Sequence, residues 1–490
     1  MRSLPASVPA TPVPPAPGDT DTDTDTDGDL DIDLELGRLH RSLTDPVSES
    51  MTFLNEIASR YPDAISFAAG RPFEGFFDVD QIHRYLRTYE RHLREQQHLS
   101  REEAARTLFQ YGRTKGVIHD LIAENLRTDE GIEADPEALV VTVGCQEALF
   151  LVLRALRGDE RDVVLAVSPT YVGLTGAASL IDLPVLPVRG GPRGVDLADL
   201  ASVVQRARRE GLRPRACYLV PDFANPMGVS LDLETRHRLL DLARREDLLL
   251  IEDNPYGLFT ATGTRIPTLK SLDRHRRVLY LGSYAKSALP GARVGFVVAD
   301  QRVADAAGGV SLLADQLAKI KSMLTVNTSP IAQAVIAGKL LACGYSLAQA
   351  NERERELYRA NRRRILAGLM RHFPPGRGSG VRWNVPKGGF FLVLDVPFPA
   401  DDELLAHSAS EHGVLWTPMR HFFDAPETAR RLRLSYSQLT PDRIDEGLRR
   451  LAAMVTERSS RSGPPLSAGS EGQGQRPVRD EEEEEGSPHA

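Results

Sequence analysis

Lysine is scarce in this chain: only seven of its 60 basic residues are lysines. Cysteine is rarer still, with Cys145, Cys217 and Cys343 scattered singly and never at metal-ligand spacing. That pattern excludes a disulfide framework and a cysteine-based metal centre, and it fits a reducing cytoplasm. Excess positive charge is also missing. The formal net charge is −8, which gives no overall field for nucleic acid or an anionic membrane surface. No apolar run approaches the ~20 residues of a membrane helix. The early Arg2 is followed by no apolar core, so a secretory signal is not expected.

What the 490 residues do contain is ordinary globular material, 41% hydrophobic and 26% charged. Both ends are biased. Residues 1–45 are Pro-rich and then acidic, and 458–490 end in "DEEEEEG". Neither can bury enough apolar surface to offset its ordering entropy, so both are expected to be disordered. Between them, seven apolar runs alternate with helical stretches: "ALVVTVG" (138–144), "DVVLAVSP" (162–169), "LPVLPV" (183–188), "ACYLVPD" (216–222), "DLLLIED" (247–253), "VLYLGSY" (278–284) and "VGFVVAD" (294–300). Strands apolar on both faces and separated by helices predict an α/β, three-layer αβα domain over 86–334 with a mostly parallel seven-stranded sheet. Residues 46–85 and 335–457 would form a smaller α+β domain, including strands in "GFFLVLDV" and "RLRLSYS".

In such sheets, ligands bind beyond the carboxyl ends of the strands. Reading those ends in turn collects a set of chemically able residues. The first is followed by Gly144, Cys145 and Gln146 at a helix start, where free N–H groups suit a phosphate. The second leads to Tyr171, the fourth to Asn225 before a proline, and the fifth to Asp253 and Tyr256. The sixth ends at Ser283, with Lys286 three residues later and Arg293 beyond it. Each has a bland reading as turn or packing residue. One ligand accounts for all of them: pyridoxal 5'-phosphate. Lys286 would condense with its aldehyde, and Asp253 would face its ring nitrogen. Asn225 and Tyr256 would meet its phenolic oxygen, while Tyr171 stacks on the ring. Gly144, Cys145, Gln146, Ser283 and Arg293 would cradle its phosphate. No metal is called for.

With these motifs in order, the chain resembles the fold-type-I class I/II aminotransferases over about 50–455. "SYAKSALPGARVGF" carries the lysine motif, "NPMG" resembles Asn-Pro-x-Gly, and "DNPY" resembles Asp-x-x-Tyr. By the same resemblance, "RLRLSY" supplies Arg433 for the substrate carboxylate. "QYG" supplies Tyr111, which in the family reaches the phosphate of a neighbouring subunit and implies a homodimer. "SFAAGRP", "LGSYAK" and "PKGGFFL" are most similar to the 2-aminoadipate and kynurenine aminotransferases, and more loosely to aryl-glycine enzymes of antibiotic pathways. In that subgroup the "AGRP" stretch lies over the substrate, which makes Gly70 and Arg71 substrate contacts. The Phe-rich "RPFEGFF" (71–77) and "RHFF" (420–423) point to an aromatic or bulky partner.

The reaction implied is ping-pong amino transfer between an L-amino acid and a 2-oxo acid. The same residues would serve elimination, decarboxylation, cyclisation or oxidation by related enzymes. A ligand-sensing regulator of this fold would need a DNA-binding segment, for which the acidic residues before 46 offer no helix-turn-helix. A scaffold that has lost catalysis would not need the complete set from Asn225 to Arg433.

Overall fold

The structure, a computed structural model, describes residues 34–461 apart from 192, 262, 264, 377–378 and 423–428. The biased stretches 1–33 and 462–490, and Phe423, lie outside the described residues. Residues 34–45, expected without structure, make two short 3-10 turns, Leu36–Arg38 and Arg41–Leu43. The second is tied down by Arg41 Nε, 2.5 Å from Asp182 Oδ1.

All seven apolar runs are strands: β1 (Leu139–Thr142), β2 (Asp162–Ser168), β3 (Val185–Arg189), β4 (Arg213–Leu219), β5 (Leu249–Asp253), β6 (Val278–Ser283) and β7 (Gly295–Val298). They form one sheet in the order β1-β7-β6-β5-β4-β2-β3. Every pairing is parallel except those of β7, which runs antiparallel to β1 and β6. The reason is local. Parallel strands need a crossover of a dozen or more residues, and only the short 284–294 loop joins β6 to β7. That loop is the lysine segment, so a tight reversal carries Lys286 back over the strand ends.

Helix α1 (Val79–Glu95) and helix α2 (Gly144–Leu156) flank this sheet with α3 (Pro330–Ala342). Gly338 of α3 lies so close to the Tyr85 backbone of α1 that any Cβ would overlap it. The absent side chain is what lets the two helices meet.

The second domain holds a four-stranded antiparallel sheet of β8 (Arg382–Trp383), β9 (Phe391–Asp395), β10 (Thr417–Pro418) and β11 (Arg431–Ser435), in the order β8-β9-β11-β10. Helices α4 (Glu352–His372) and α5 (Pro441–Arg461) cover it, packing Ile365, Leu369, Leu448 and Leu451 against Leu392 and Leu434. Register sets both Val393 and Thr417 opposite Arg433. Ile65–Ser66 pairs with Val414–Leu415. This stitches the chain just before Gly70 to the domain that carries Arg433. No helix among the described residues is long and apolar enough to cross a membrane.

Candidate active site

The strand ends and the Arg433 domain close on one site. At its centre Lys286 is half-buried, and its Nζ donates to the Gly70 carbonyl at 2.7 Å. Burial lowers its pKa to about 8. The positive charges of Arg293, Arg71 and Arg433 push the same way, and Asp253 opposes them. A lysine brought this near neutrality can take up and return a proton at physiological pH.

Asp253 ends β5 and is 6% exposed. Its Oδ2 accepts a hydrogen bond from the Tyr218 hydroxyl at 2.7 Å, and its Oδ1 is buried with no protein partner. Burial raises its pKa to about 6, against the hydrogen bond from Tyr218 and the charge of Lys286. A half-satisfied buried carboxylate is costly. A protonated ring nitrogen is the complement it lacks, so Asp253 fits pyridoxal phosphate by geometry as well as by sequence.

The phosphate side is built around α2. Glu147 accepts from the Val143 N–H at 2.6 Å and is itself held by Lys321 at 2.8 Å and Thr325 at 2.5 Å, which fixes where the helix starts. Gly144 then adopts φ +72°, and a Cβ there would overlap the Arg293 guanidinium. Arg293 itself is held at φ +50°. A bare backbone at a helix start, with a guanidinium laid against it, is a cradle for an anion. Ser283 Oγ accepts from Ala285 N at 3.2 Å. The side chains of the other two predicted phosphate residues turn elsewhere. Gln146 donates its amide to the Gly173 carbonyl at 2.7 Å, and the Cys145 thiol donates to the Gly282 carbonyl at 3.2 Å. What they offer the cradle is main-chain N–H.

Tyr171 lies half-buried between the large-domain core and the cluster of Val393 and Phe422. Burial, then the charges of Asp253 and Cys145, lift its phenol to about 12. Tyr256 is buried, edge-on to Phe390 and Phe391 at 5.2 and 5.5 Å, and burial pushes its phenol up while Arg433 pulls it down. Asn225, before a cis proline, presents its Oδ1 to Arg433 Nη1 at 2.5 Å.

Arg433 is 5% exposed. Its Nη2 donates to the Ala68 carbonyl at 2.8 Å and to Thr417 Oγ1 at 3.2 Å, and the guanidinium stacks over Phe391 and Phe422. Its Nε is buried without a partner. Burial lowers its pKa to about 10, so it stays charged at neutral pH. An orphan donor on a buried, planar cation is suited to a carboxylate. Gly70 packs against Phe391 with no room for a side chain. Arg71 is exposed, its carbonyl accepts from Ser437 Oγ at 2.6 Å, and its charge is felt at Lys286. Tyr111 stands apart on the surface of the single chain, 83% exposed.

Sequence reasoning missed Tyr218, Thr417 and the Ala68 carbonyl. Tyr218 could have been found. It pairs with Ile251, and a strand repeats every two residues, so Tyr218 and Asp253 share one face of the sheet. Thr417 and Ala68 depend on a cross-domain register that no local pattern encodes.

Residues 82–451 match the family model for aminotransferase class I and II. The chain is 58% identical over 420 residues to the (S)-3,5-dihydroxyphenylglycine transaminase of Amycolatopsis orientalis, covering 86% of this chain and 94% of that one. Among solved structures it resembles the Pyrococcus horikoshii kynurenine aminotransferase in complex with PMP (TM-score 0.70, 26% identity, 84% of this chain and 95% of that one). It also resembles the Thermus thermophilus α-aminoadipate aminotransferase complexed with N-(5'-phosphopyridoxyl)-L-leucine (TM-score 0.67, 29% identity, 84% and 97%). The chain belongs to the class I and II aminotransferases, enzymes of fold type I that depend on pyridoxal phosphate.

Proposed function

We propose that this aminotransferase uses an aryl glycine, (S)-3,5-dihydroxyphenylglycine or its 2-oxo acid counterpart, as one of its substrates. The observation that carries the reading is the 58% identity along nearly the whole length of a transaminase named for that amino acid. Two features of the site support it. Phe391 and Phe422 stack on the carboxylate-binding Arg433, and Phe73 and Phe76 stand near Lys286.

The residues divide the work as follows. Arg433 fixes the substrate carboxylate by a planar two-point contact, with Asn225 and Thr417 holding the guanidinium in place. Gly70 and Arg71 cover the substrate from the segment stitched to the smaller domain. Lys286 removes the proton at Cα and returns one, its depressed pKa keeping a useful fraction neutral. When bound, the cofactor supplies the covalent attachment and the electron sink for the carbon that loses its proton. Asp253 would hold the proton on the ring nitrogen through its unpartnered Oδ1, and Tyr218 keeps that carboxylate oriented. Asn225 and Tyr256 would hydrogen-bond the phenolic oxygen, and Tyr171 would pack on the ring. The backbone of Gly144, Cys145 and Gln146, with Ser283 and Arg293, would hold the phosphate. The second half of the cycle uses the same groups in reverse with a second 2-oxo acid.

A homodimer completes the phosphate site in this reading, through Tyr111 of a second copy. Its support is an apolar surface in the single chain: Phe109, Tyr111, Met323 (87% exposed), Leu324, Val326 and Ile331. The helix that ends at Phe109 packs on α3, and Gly112 lies against Asn327 and Pro330, so these residues share one region. All three cysteines are free, which supports a cytoplasmic location.

The test is a half-reaction. Mixing the yellow holoenzyme with (S)-3,5-dihydroxyphenylglycine should bleach the visible band and release the matching 2-oxo acid, detected by mass spectrometry. Bleaching by other amino acids with none by this one would refute the substrate assignment.

A further inference from the structure

Beside Lys286 a cavity of about 300 Å³ opens between the 72–77 loop, α1 and α3, with Lys286 and the loop behind it as part of its wall. One side is apolar. Phe73 and Phe76, their rings edge-on at 5.0 Å and 72°, line it together with Leu289 and Val335. The Phe76 ring is further clamped by the Arg353 guanidinium at 3.8 Å, and the Phe73 N–H donates to the Tyr358 hydroxyl at 3.1 Å. The aromatic wall is therefore held from α4 rather than left as a loose loop.

The other side is polar. Gln81 and Tyr85 reach it from α1, Lys339 from α3 and Glu354 from α4. The Tyr85 hydroxyl donates to Gln81 Oε1 at 3.3 Å, a long bond that leaves both groups with capacity to spare. Lys339 Nζ donates to the carbonyl of Ser287, the residue after the site lysine, at 3.0 Å. Glu354 is half-buried and near enough to act on both Tyr85 and Lys339. A small cavity with aromatic walls and acceptors from two helices is a poor fit for an aliphatic side chain. It matches a flat ring that carries hydroxyl donors. Position narrows the choice further. In an aryl glycine the ring is bonded directly to Cα, so it must lie close to the lysine that moves the Cα proton, and Lys286 is one of the residues that line this cavity.

We propose that this cavity is the subsite for the hydroxylated ring of the amino donor, with Glu354 and the Gln81–Tyr85 pair accepting its phenol hydrogens and Phe73 and Phe76 packing on its face. The proposal deepens, and rests on, the aryl-glycine reading above. It makes Gln81, Tyr85 and Glu354 selectors of hydroxylated over plain aryl substrates. A site that hydrogen-bonds a substrate hydroxyl rejects the analogue lacking it, because its own polar groups are then left unpaired.

Arylacetates test this without turnover, since phenylacetate is phenylglycine without the amino group and cannot react. Their affinities for the holoenzyme are measured by isothermal titration calorimetry. Wild type should bind 3,5-dihydroxyphenylacetate at least about tenfold more tightly than phenylacetate. In the Gln81→Leu/Glu354→Leu double variant, and more mildly in Tyr85→Phe, that ratio should fall toward one. Wild type without the preference, or a folded, yellow double variant that keeps it, would overturn the subsite. A preference in wild type, lost in the variants, with no half-reaction from (S)-3,5-dihydroxyphenylglycine would uphold the subsite and sink the donor assignment instead.

Discussion

Replacing Tyr218 with Phe removes one oxygen atom and no packing volume, yet it should retune the buried acid at the heart of the site. The Tyr218 hydroxyl is the hydrogen bond that favours ionised Asp253, and Oδ1 has no protein partner to compensate. A hydrogen bond to a charged group is worth about 1.5–3 kcal/mol, and each pH unit corresponds to about 1.4 kcal/mol. Losing it should move the Asp253 pKa, already raised to about 6 by burial, upward by about one to two pH units. The sign follows because the bond stabilises the carboxylate, so its loss favours the protonated form. In the apoprotein at pH 7, wild-type Asp253 is then mostly ionised and ready for a protonated ring nitrogen. The variant is roughly half to nine-tenths neutral. Titrating apoprotein with pyridoxal phosphate across pH, followed by the visible band, should show variant affinity reduced about two- to tenfold at pH 7, with the deficit disappearing above about pH 9. Other titrations, of Lys286 and of the cofactor itself, are common to both proteins and cancel in the comparison. Superimposable pH profiles would refute the role assigned to Tyr218.

Further outcomes follow from the same geometry. Arg433→Lys keeps the charge but loses the planar pair of donors, so kcat/KM for the amino donor should fall about 10- to 100-fold while the yellow holoenzyme still forms. Gly144→Ala puts a Cβ into the Arg293 guanidinium on a left-handed residue, so cofactor affinity measured by equilibrium dialysis should drop at least about tenfold in a protein with an unchanged circular dichroism spectrum. Because burial and three arginines depress Lys286 to about 8, the rate of cofactor attachment to apoprotein should rise with pH through a midpoint near 8 rather than above 10. Stopped-flow absorbance reads that midpoint directly.

Much of this was legible in the chain, and the physical reasons differ by element. Strands covered on both faces must be apolar throughout, so all seven strands of the large sheet announce themselves, as do β9 and β11. Strand direction does not, because β7 reads no differently from β6. Only the shortness of the 284–294 loop reveals that it runs backward. Residues at strand ends were findable because a sheet delivers its carboxyl ends to one place, which is why Gly144, Tyr171, Asn225, Asp253 and Lys286 could be collected from the sequence alone. Side-chain direction within that set was not findable. Cys145 and Gln146 sit where expected, but their side chains satisfy main-chain carbonyls. The Ala68 and Thr417 contacts to Arg433 arise from pairing between segments far apart in the chain, as in the bond from Arg433 to Ala68 with a separation of 365 residues. The approach of Gln81 and Tyr85 on α1 to Lys339 on α3 depends on a helix contact permitted by the missing Cβ of Gly338.

Among only seven lysines, Lys286 is the one proposed to carry the cofactor. Holoenzyme reduced with sodium borohydride, digested and mapped by mass spectrometry should show the phosphopyridoxyl mass on the peptide containing Lys286 and on no other. Finding that mass on Lys115, Lys270, Lys319, Lys321, Lys339 or Lys387, or on no lysine at all, would contradict the account.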